Sequence, residues 1–199
     1  MTWFPLPVPL ILASTSRYRQ AQLGRLGVAF TSIAPPYVEA PVPGLNPRQL
    51  IAYHAVQKAA AVRRMEGAQN AWILAADQGV VVDQPEGAIL LGKPGTAQAA
   101  VEQLLQLAGK IHELRTHVVL DLGVQQLRHT SVAHLYMRPL TRAEAEAYVA
   151  RDKPLDCAGS YRIEAAGPWL FESIQSDDPT AIEGLPLITV ANLLRTACA

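Results

Sequence analysis

Val8-Pro-Leu-Ile-Leu-Ala-Ser-Thr-Ser-Arg-Tyr-Arg19 reads as a strand, a turn and the start of a helix. Leu10 to Ala13 are uninterrupted apolar residues, as in a buried strand, and a proline suits only the leading end of such a strand. Ser14 to Ser16 form a hydroxyl-rich turn. Ala21, Leu23 and Leu26 then supply helical apolar positions, and Gly27 supplies a stop. A buried strand running straight into a helix opens an α/β fold. Free backbone N–H groups at that junction, beside hydroxyls and the guanidinium groups of Arg17 and Arg19, also make a cradle for phosphate. A capped turn with solvated arginines fits the same spacing equally well.

Working outward, Val28 to Ile33 reads as a second strand and Ala34 to Leu45 as a proline-rich loop. Asn46-Pro-Arg-Gln49 carries a helix cap, a proline suited to the first turn and a glutamine placed for a capping box, and predicts a helix to about Met65. Ala71 to Ala76 predicts a strand ending at Asp77, with β character resuming over Gly79 to Val82. Gln84 to Gly87 reads as a hairpin turn before Ile89 to Leu91. Thr96 caps a helix to about Leu107. His112 to Leu122 and Leu127 to Arg138 form an antiparallel pair around Gly123. Thr141-Arg-Ala-Glu144 is a second capping box, opening a helix to Ala150, and the last helix is expected over Leu185 to Leu194. Interleaved strands and helices with hairpins predict an α/β fold on a mixed sheet, with residues 1–199 as one domain.

The totals agree. Of 199 residues, 50% are hydrophobic and 17% charged, and the formal net charge is +0, with no excess of Lys and Arg for a broad nucleic-acid surface. A small polyanion needs only a local cluster of cations. Cys157 and Cys198 are too few for a disulfide framework or a four-cysteine zinc site, which favours a reducing cytoplasm. The apolar stretch Trp3 to Ala13 has no positive residue before it, is broken by Pro5, Pro7 and Pro9, and is too short to span a bilayer. Neither a targeting segment nor a membrane span is expected.

Several chemistries are excluded by spacing. Gly87-x-x-x-x-Gly92-Lys93 fits part of a P-loop, but Pro94 stands where the metal-binding hydroxyl belongs and the context is a hairpin. Lys93 remains a candidate phosphate contact. His54, His112, His117, His129 and His134 include no H-E-x-x-H pair, and His129 and His134 fall on opposite strand faces. There is no G-x-S-x-G elbow, and Cys157 reads as a structural thiol. Asp77 is a carboxylate at an apolar strand end, where α/β ligand sites lie, and could hold Mg²⁺ or take a proton from water. A turn-capping role is the commoner fate of such a residue.

Five ordered segments resemble the Maf family of nucleotide pyrophosphatases: Leu10 to Arg19, Ala76-Asp-Gln78, Gly92-Lys-Pro94, Pro154-Leu-Asp-Cys-Ala-Gly-Ser160 and Gly184-Leu-Pro-Leu187. The resemblance spans nearly the whole chain. It implies a mixed twisted sheet split into two lobes with a central cleft, a divalent cation (Mg²⁺ or Mn²⁺), a small-molecule nucleotide substrate, a cytoplasmic location and release of diphosphate. A homodimer is left open. Asp77 matches the family's catalytic acid, described as a proton acceptor, and Asp77 with Glu39 is implied to hold the metal. Ser14, Arg19, Glu39, Lys58 and Lys93 match conserved polar positions of the cleft. Tyr18, Gln78 and Glu164 match positions that sort members by base. Members acting on dTTP and UTP resemble Arg, Thr and Gln there, and the branch acting on 7-methyl-GTP resembles an aromatic residue, Gln and Glu. The sorting is chemically reasonable, because methylation at N7 makes guanine a cation, which an aromatic face and a carboxylate both attract. Val38 replaces a usual acidic residue before Glu39, Arg17 a common proline and Ala165 a common glycine. The expected reaction is hydrolysis of a non-standard nucleoside triphosphate, most simply 7-methyl-GTP. The rivals are the same chemistry on dTTP or UTP and a non-catalytic nucleotide-binding protein.

Overall fold

The computed structural model of the protein describes residues 4–199. Trp3, which opens the apolar stretch above, lies outside the described residues. The strands are β1 (Leu10–Ala13), β2 (Thr31–Ile33), β3 (Trp72–Val82), β4 (Ile89–Leu91), β5 (Ile111–Asp121), β6 (Gln126–Met137) and β7 (Phe171–Ser176). The helices are α1 (Arg17–Gly24), α2 (Pro47–Arg63), α3 (Ala97–Leu107), α4 (Arg142–Asp152) and α5 (Leu187–Cys198). All seven strands form one mixed sheet in the order β2-β1-β3-β5-β6-β7, with β4 also on β3. β1 pairs in parallel with β2 and β3, and every other pairing is antiparallel.

Local signals determine the helix starts. The side chain of Asn46 accepts from the Gln49 N–H while Gln49 returns to the Asn46 N–H, and Thr141 and Glu144 make the same reciprocal pair. Each such cap contributes about 1 kcal/mol. In α5, Leu187, Val190 and Leu194 recur on one face and are buried against the sheet. Each contributes roughly 1.5–3 kcal/mol by leaving water.

The apolar side chains separate into two lobes. In one, Leu12, Leu74 and Leu120 pack with Val190 of α5 on one sheet face, and Ile73 and Ala75 pack with Ala55 and Ala59 of α2 on the other. In the second, Val80, Leu104, Leu114, Leu135 and Tyr148 pack among α3, α4 and the far half of the sheet.

Two expectations are corrected. β3 does not end at Asp77 but continues to Val82, because β5 pairs with it without a break from Ile73↔Asp121 to Val81↔Glu113. The second strand is shorter than expected, starting at Thr31, and β7 carried no sequence expectation. β7 is itself an edge strand: its residues alternate weakly and pair only with β6.

On the edge of β3 away from β5, β1 pairs only through Leu74 and β4 begins at Val80. Ala75 to Gly79 therefore have no strand on that edge. This gap in an otherwise continuous sheet is where the cleft between the lobes opens.

Candidate active site

A cavity of about 430 Å³ fills the gap, and all nine residues singled out from the sequence line it: Ser14, Tyr18, Arg19, Glu39, Lys58, Asp77, Gln78, Lys93 and Glu164. The floor is β3 itself. In a strand, neighbours point to opposite faces, so Asp77 falls on the α2 face and Gln78 on the α5 face. Both reach one cavity because it wraps around the open strand edge.

On the α2 face the charges interlock. Lys58 projects from α2, and its ammonium stands 2.6 Å from Asp77 Oδ1 and 2.5 Å from Glu39 Oε1. Asp77 is 7% exposed, and a polar group buried this far needs a partner of this kind. Burial pushes the Glu39 carboxyl up, but the hydrogen bond and charge of Lys58 outweigh it and hold the group below its ordinary value. Arg19 closes the open strand edge: Nη1 donates to Ala76 O at 2.7 Å and Nε to Gly184 O at 3.2 Å. Burial pulls its guanidinium down, against the holding charges of Asp77 and Glu39. The turn before it is a capped helix start, in which Ser16 Oγ accepts from the Arg19 N–H and Ser14 Oγ accepts from the Ser16 N–H. Lys93 lines the cavity and makes no ion pair among the described residues.

On the other face, Gln78 Nε2 donates to Thr116 Oγ1 at 2.8 Å and to Ala181 O at 2.7 Å. A carbonyl only accepts, so the amide nitrogen must face Ala181. Both amide hydrogens are then used, and Gln78 can offer a ligand only its acceptor, Oε1.

The far end of the cavity is built across the lobes. Tyr18 comes from α1, while Asp156 and Glu164 come from the loop around Tyr161, which belongs to the second core. Tyr18 Oη donates to Asp156 Oδ1 at 3.2 Å. The guanidinium of Arg162 lies 5.3 Å from the Tyr18 ring centroid, and its Nε donates to Glu164 Oε1 at 3.0 Å. Arg17 lies 5.0 Å from the same ring. Tyr18 and Glu164 thus already share a cation, which is the kind of contact expected for a methylated purine.

Sequence reasoning missed four residues. Arg162 and Asp156 were hidden because their partner is a residue of the other lobe. Tyr37 lines the cavity and pairs with His54 Nδ1 at 2.6 Å. His54 and Lys58 are four apart on α2, a spacing that placed both on one face and could have flagged the pair. Val38, which replaces a usual acidic residue, stands apart from the cavity. Val38 is 84% exposed and is not part of the cavity wall, whereas Glu39 is. Cys157 lies in the wall, but burial pushes its thiol up to about 11, which suits a structural residue.

No group of three or more His, Cys, Asp or Glu side chains among the described residues converges to hold a metal. Glu39 and Asp77 nevertheless converge on one point, the Lys58 ammonium. Two carboxylates fit Mg²⁺ or Mn²⁺ when substrate phosphates and water complete the shell, as these ions prefer.

The chain is similar to known proteins over most of its length. Over 190 residues the chain is 41% identical to a 7-methyl-GTP pyrophosphatase of Bdellovibrio bacteriovorus, covering 94% of this chain and 96% of that one. It is 42% identical over 188 residues to one of Xanthomonas axonopodis pv. citri, with 94% and 96% covered. Among solved structures, protein VC0702 from Vibrio cholerae overlaps 74% of this chain and 81% of its own, with a TM-score of 0.40 and 12% identity. The family described as Maf-like protein matches residues 9–197, which include every residue of the cavity wall, and the chain belongs to that family.

Proposed function

We propose that the protein hydrolyses 7-methyl-GTP to the nucleoside monophosphate and diphosphate. The observation that carries this reading is the shared cavity, in which a buried carboxylate, Asp77, meets the hydroxyl-and-guanidinium turn Ser14–Arg19. The names of the relatives support the choice of base, as do Tyr18, Gln78 and Glu164 at the base end.

The charges of Lys58 and Arg19 are already balanced by Asp77 and Glu39. A triphosphate entering this cluster adds negative charge, and against it, among the described residues of the cavity wall, stands Lys93, which makes no ion pair. That imbalance supports a divalent cation held by Asp77 and Glu39, which when bound neutralises phosphate charge and polarises the α-phosphoryl group. Asp77 orients the attacking water and accepts its proton as the bond between the α-phosphorus and the bridging oxygen breaks. Arg19, Lys58 and Lys93 offset the charge gathering on the departing diphosphate. Gln78 Oε1 and Glu164 accept from the N–H groups of the guanine edge. Among the described residues no helix is long and apolar enough to cross a membrane.

The test is chromatographic product analysis with 7-methyl-GTP, GTP, dTTP and UTP, each with and without Mg²⁺ or Mn²⁺. The expected result is diphosphate release fastest from 7-methyl-GTP and only with metal. Faster turnover of dTTP or UTP would transfer the protein to another substrate, and tight binding without product would remove the activity.

A further inference from the structure

We propose that Lys58 is a resident cation occupying the position of the divalent metal in the nucleotide-free protein, so that metal enters only when a triphosphate draws Lys58 away. This rests on the metal-dependent reading above and adds an order of events: the substrate is the divalent-cation complex of the nucleotide, and the bare metal is a poor ligand.

The argument is geometric. Glu39 reaches the cavity from the loop between β2 and α2, and Asp77 from the middle of β3. The two carboxylates meet only through the Lys58 ammonium, at 2.5 Å and 2.6 Å. A Mg²⁺ ion binds oxygen at roughly 2.0–2.1 Å, so an ion bridging the same two oxygens must sit near the point where Nζ now stands. Two cations cannot share it, since like charges at such a separation repel strongly in a half-buried site. Arg19 adds a third positive group nearby and is tied to Ala76 O and Gly184 O. Lys58 is the movable member. Its ammonium rides on a flexible four-carbon stem, and among the described residues its ion pairs are with the two carboxylates alone. Phosphate oxygens offer it equivalent acceptors, and each Lys58–phosphate contact frees a carboxylate for metal. By linkage, nucleotide and metal then raise each other's affinity by the same factor.

The test measures Mn²⁺ binding by electron paramagnetic resonance, with and without a non-hydrolysable triphosphate analogue. It uses the wild-type protein, K58M, K58R and the double variant K58M/D77N, with circular dichroism and thermal melts checking each fold. Wild-type protein is expected to bind Mn²⁺ weakly alone and much more tightly with the analogue. K58M is expected to bind Mn²⁺ alone about tenfold more tightly than wild type and to gain less from the analogue. K58R, which keeps the charge, should stay near wild type, and D77N added to K58M should erase the gain. Unchanged or weaker Mn²⁺ binding by folded K58M overturns the role of Lys58 while leaving the metal reading intact if the analogue still recruits Mn²⁺. Failure of every form to bind Mn²⁺ with the analogue present overturns both.

Discussion

The two ends of the cavity are built differently. The phosphate end stands mostly on regular elements: Asp77 on β3, Lys58 on α2 and Arg19 at the start of α1, with Glu39 reaching in from the loop after β2. Its charges are paired at 2.5–2.6 Å, and the continuous β3–β5 ladder holds the backbone of Asp77. The base end takes Gln78 from β3 but otherwise stands on α1 and an irregular loop, and its contacts cross between the lobes through Tyr18, Asp156 and Arg162. In the proposed reaction, the groups that must be positioned to a fraction of an ångström stand mostly on the regular elements, and those proposed to read the base stand largely where loops can vary.

Asp77→Asn should test the phosphate end most severely. Turnover should fall by about 10²–10⁴-fold, with the melting temperature little changed because Lys58 keeps Glu39 as a partner; full activity would remove Asp77 from the reaction. Gly167→Ala should strike the base end through its backbone. An added Cβ there would lie 2.2 Å from the Arg162 carbonyl oxygen, and the loop must shift, costing about 1–3 kcal/mol in denaturant unfolding. KM should rise more than kcat falls; the opposite split would show the loop reaching into the chemistry.

Acid should loosen the second lobe, and with it the base end. His112 is buried against Tyr161 and Phe171, desolvation lowers its pKa to about 4, and its Nδ1 has no hydrogen-bond partner. Between pH 6.5 and about 4 the unfolded chain therefore binds a proton that the folded chain refuses. Stability is full above 6.5 and is lost as pH falls through that window, by roughly 1–3 kcal/mol. His112→Phe should flatten the pH dependence of the melting temperature, and an unchanged slope would count against the assignment.

The smallest effect is expected at Tyr18. Tyr18→Arg replaces an attractive ring with a charge beside Arg17 and Arg162, and should raise KM for 7-methyl-GTP about 2- to 30-fold while leaving kcat near wild type. If the preference among nucleotides does not move, the ring does not read the base.

Much of this was legible in the chain. The strand–turn–helix at Leu10–Arg19, both capping boxes, the β5–β6 pair and the mixed sheet follow from local patterns that act within a few residues. Ser14, Tyr18, Arg19, Asp77, Gln78 and Lys93 were legible within the five ordered segments, whereas Glu39, Lys58 and Glu164 lie outside them and rested on the wider resemblance. The end of β3 was misread because a carboxylate and a glutamine interrupt its apolar run; the ladder with β5, distant in sequence, overrides that local signal. Arg162 and Asp156 were missed for a related reason, since only a residue of the other lobe gives them meaning.

Sequence alone determined most of the elements, β7 excepted, and which side chains carry charge, because caps, turns and periodicity are short-range. Tertiary structure alone decided that β1 stops short and β4 starts late along one edge of β3. The resulting gap brings two opposite-facing residues, Asp77 and Gln78, into one cavity. Pairing between strands depends on contacts remote along the chain, and no local pattern records where a neighbour will be absent.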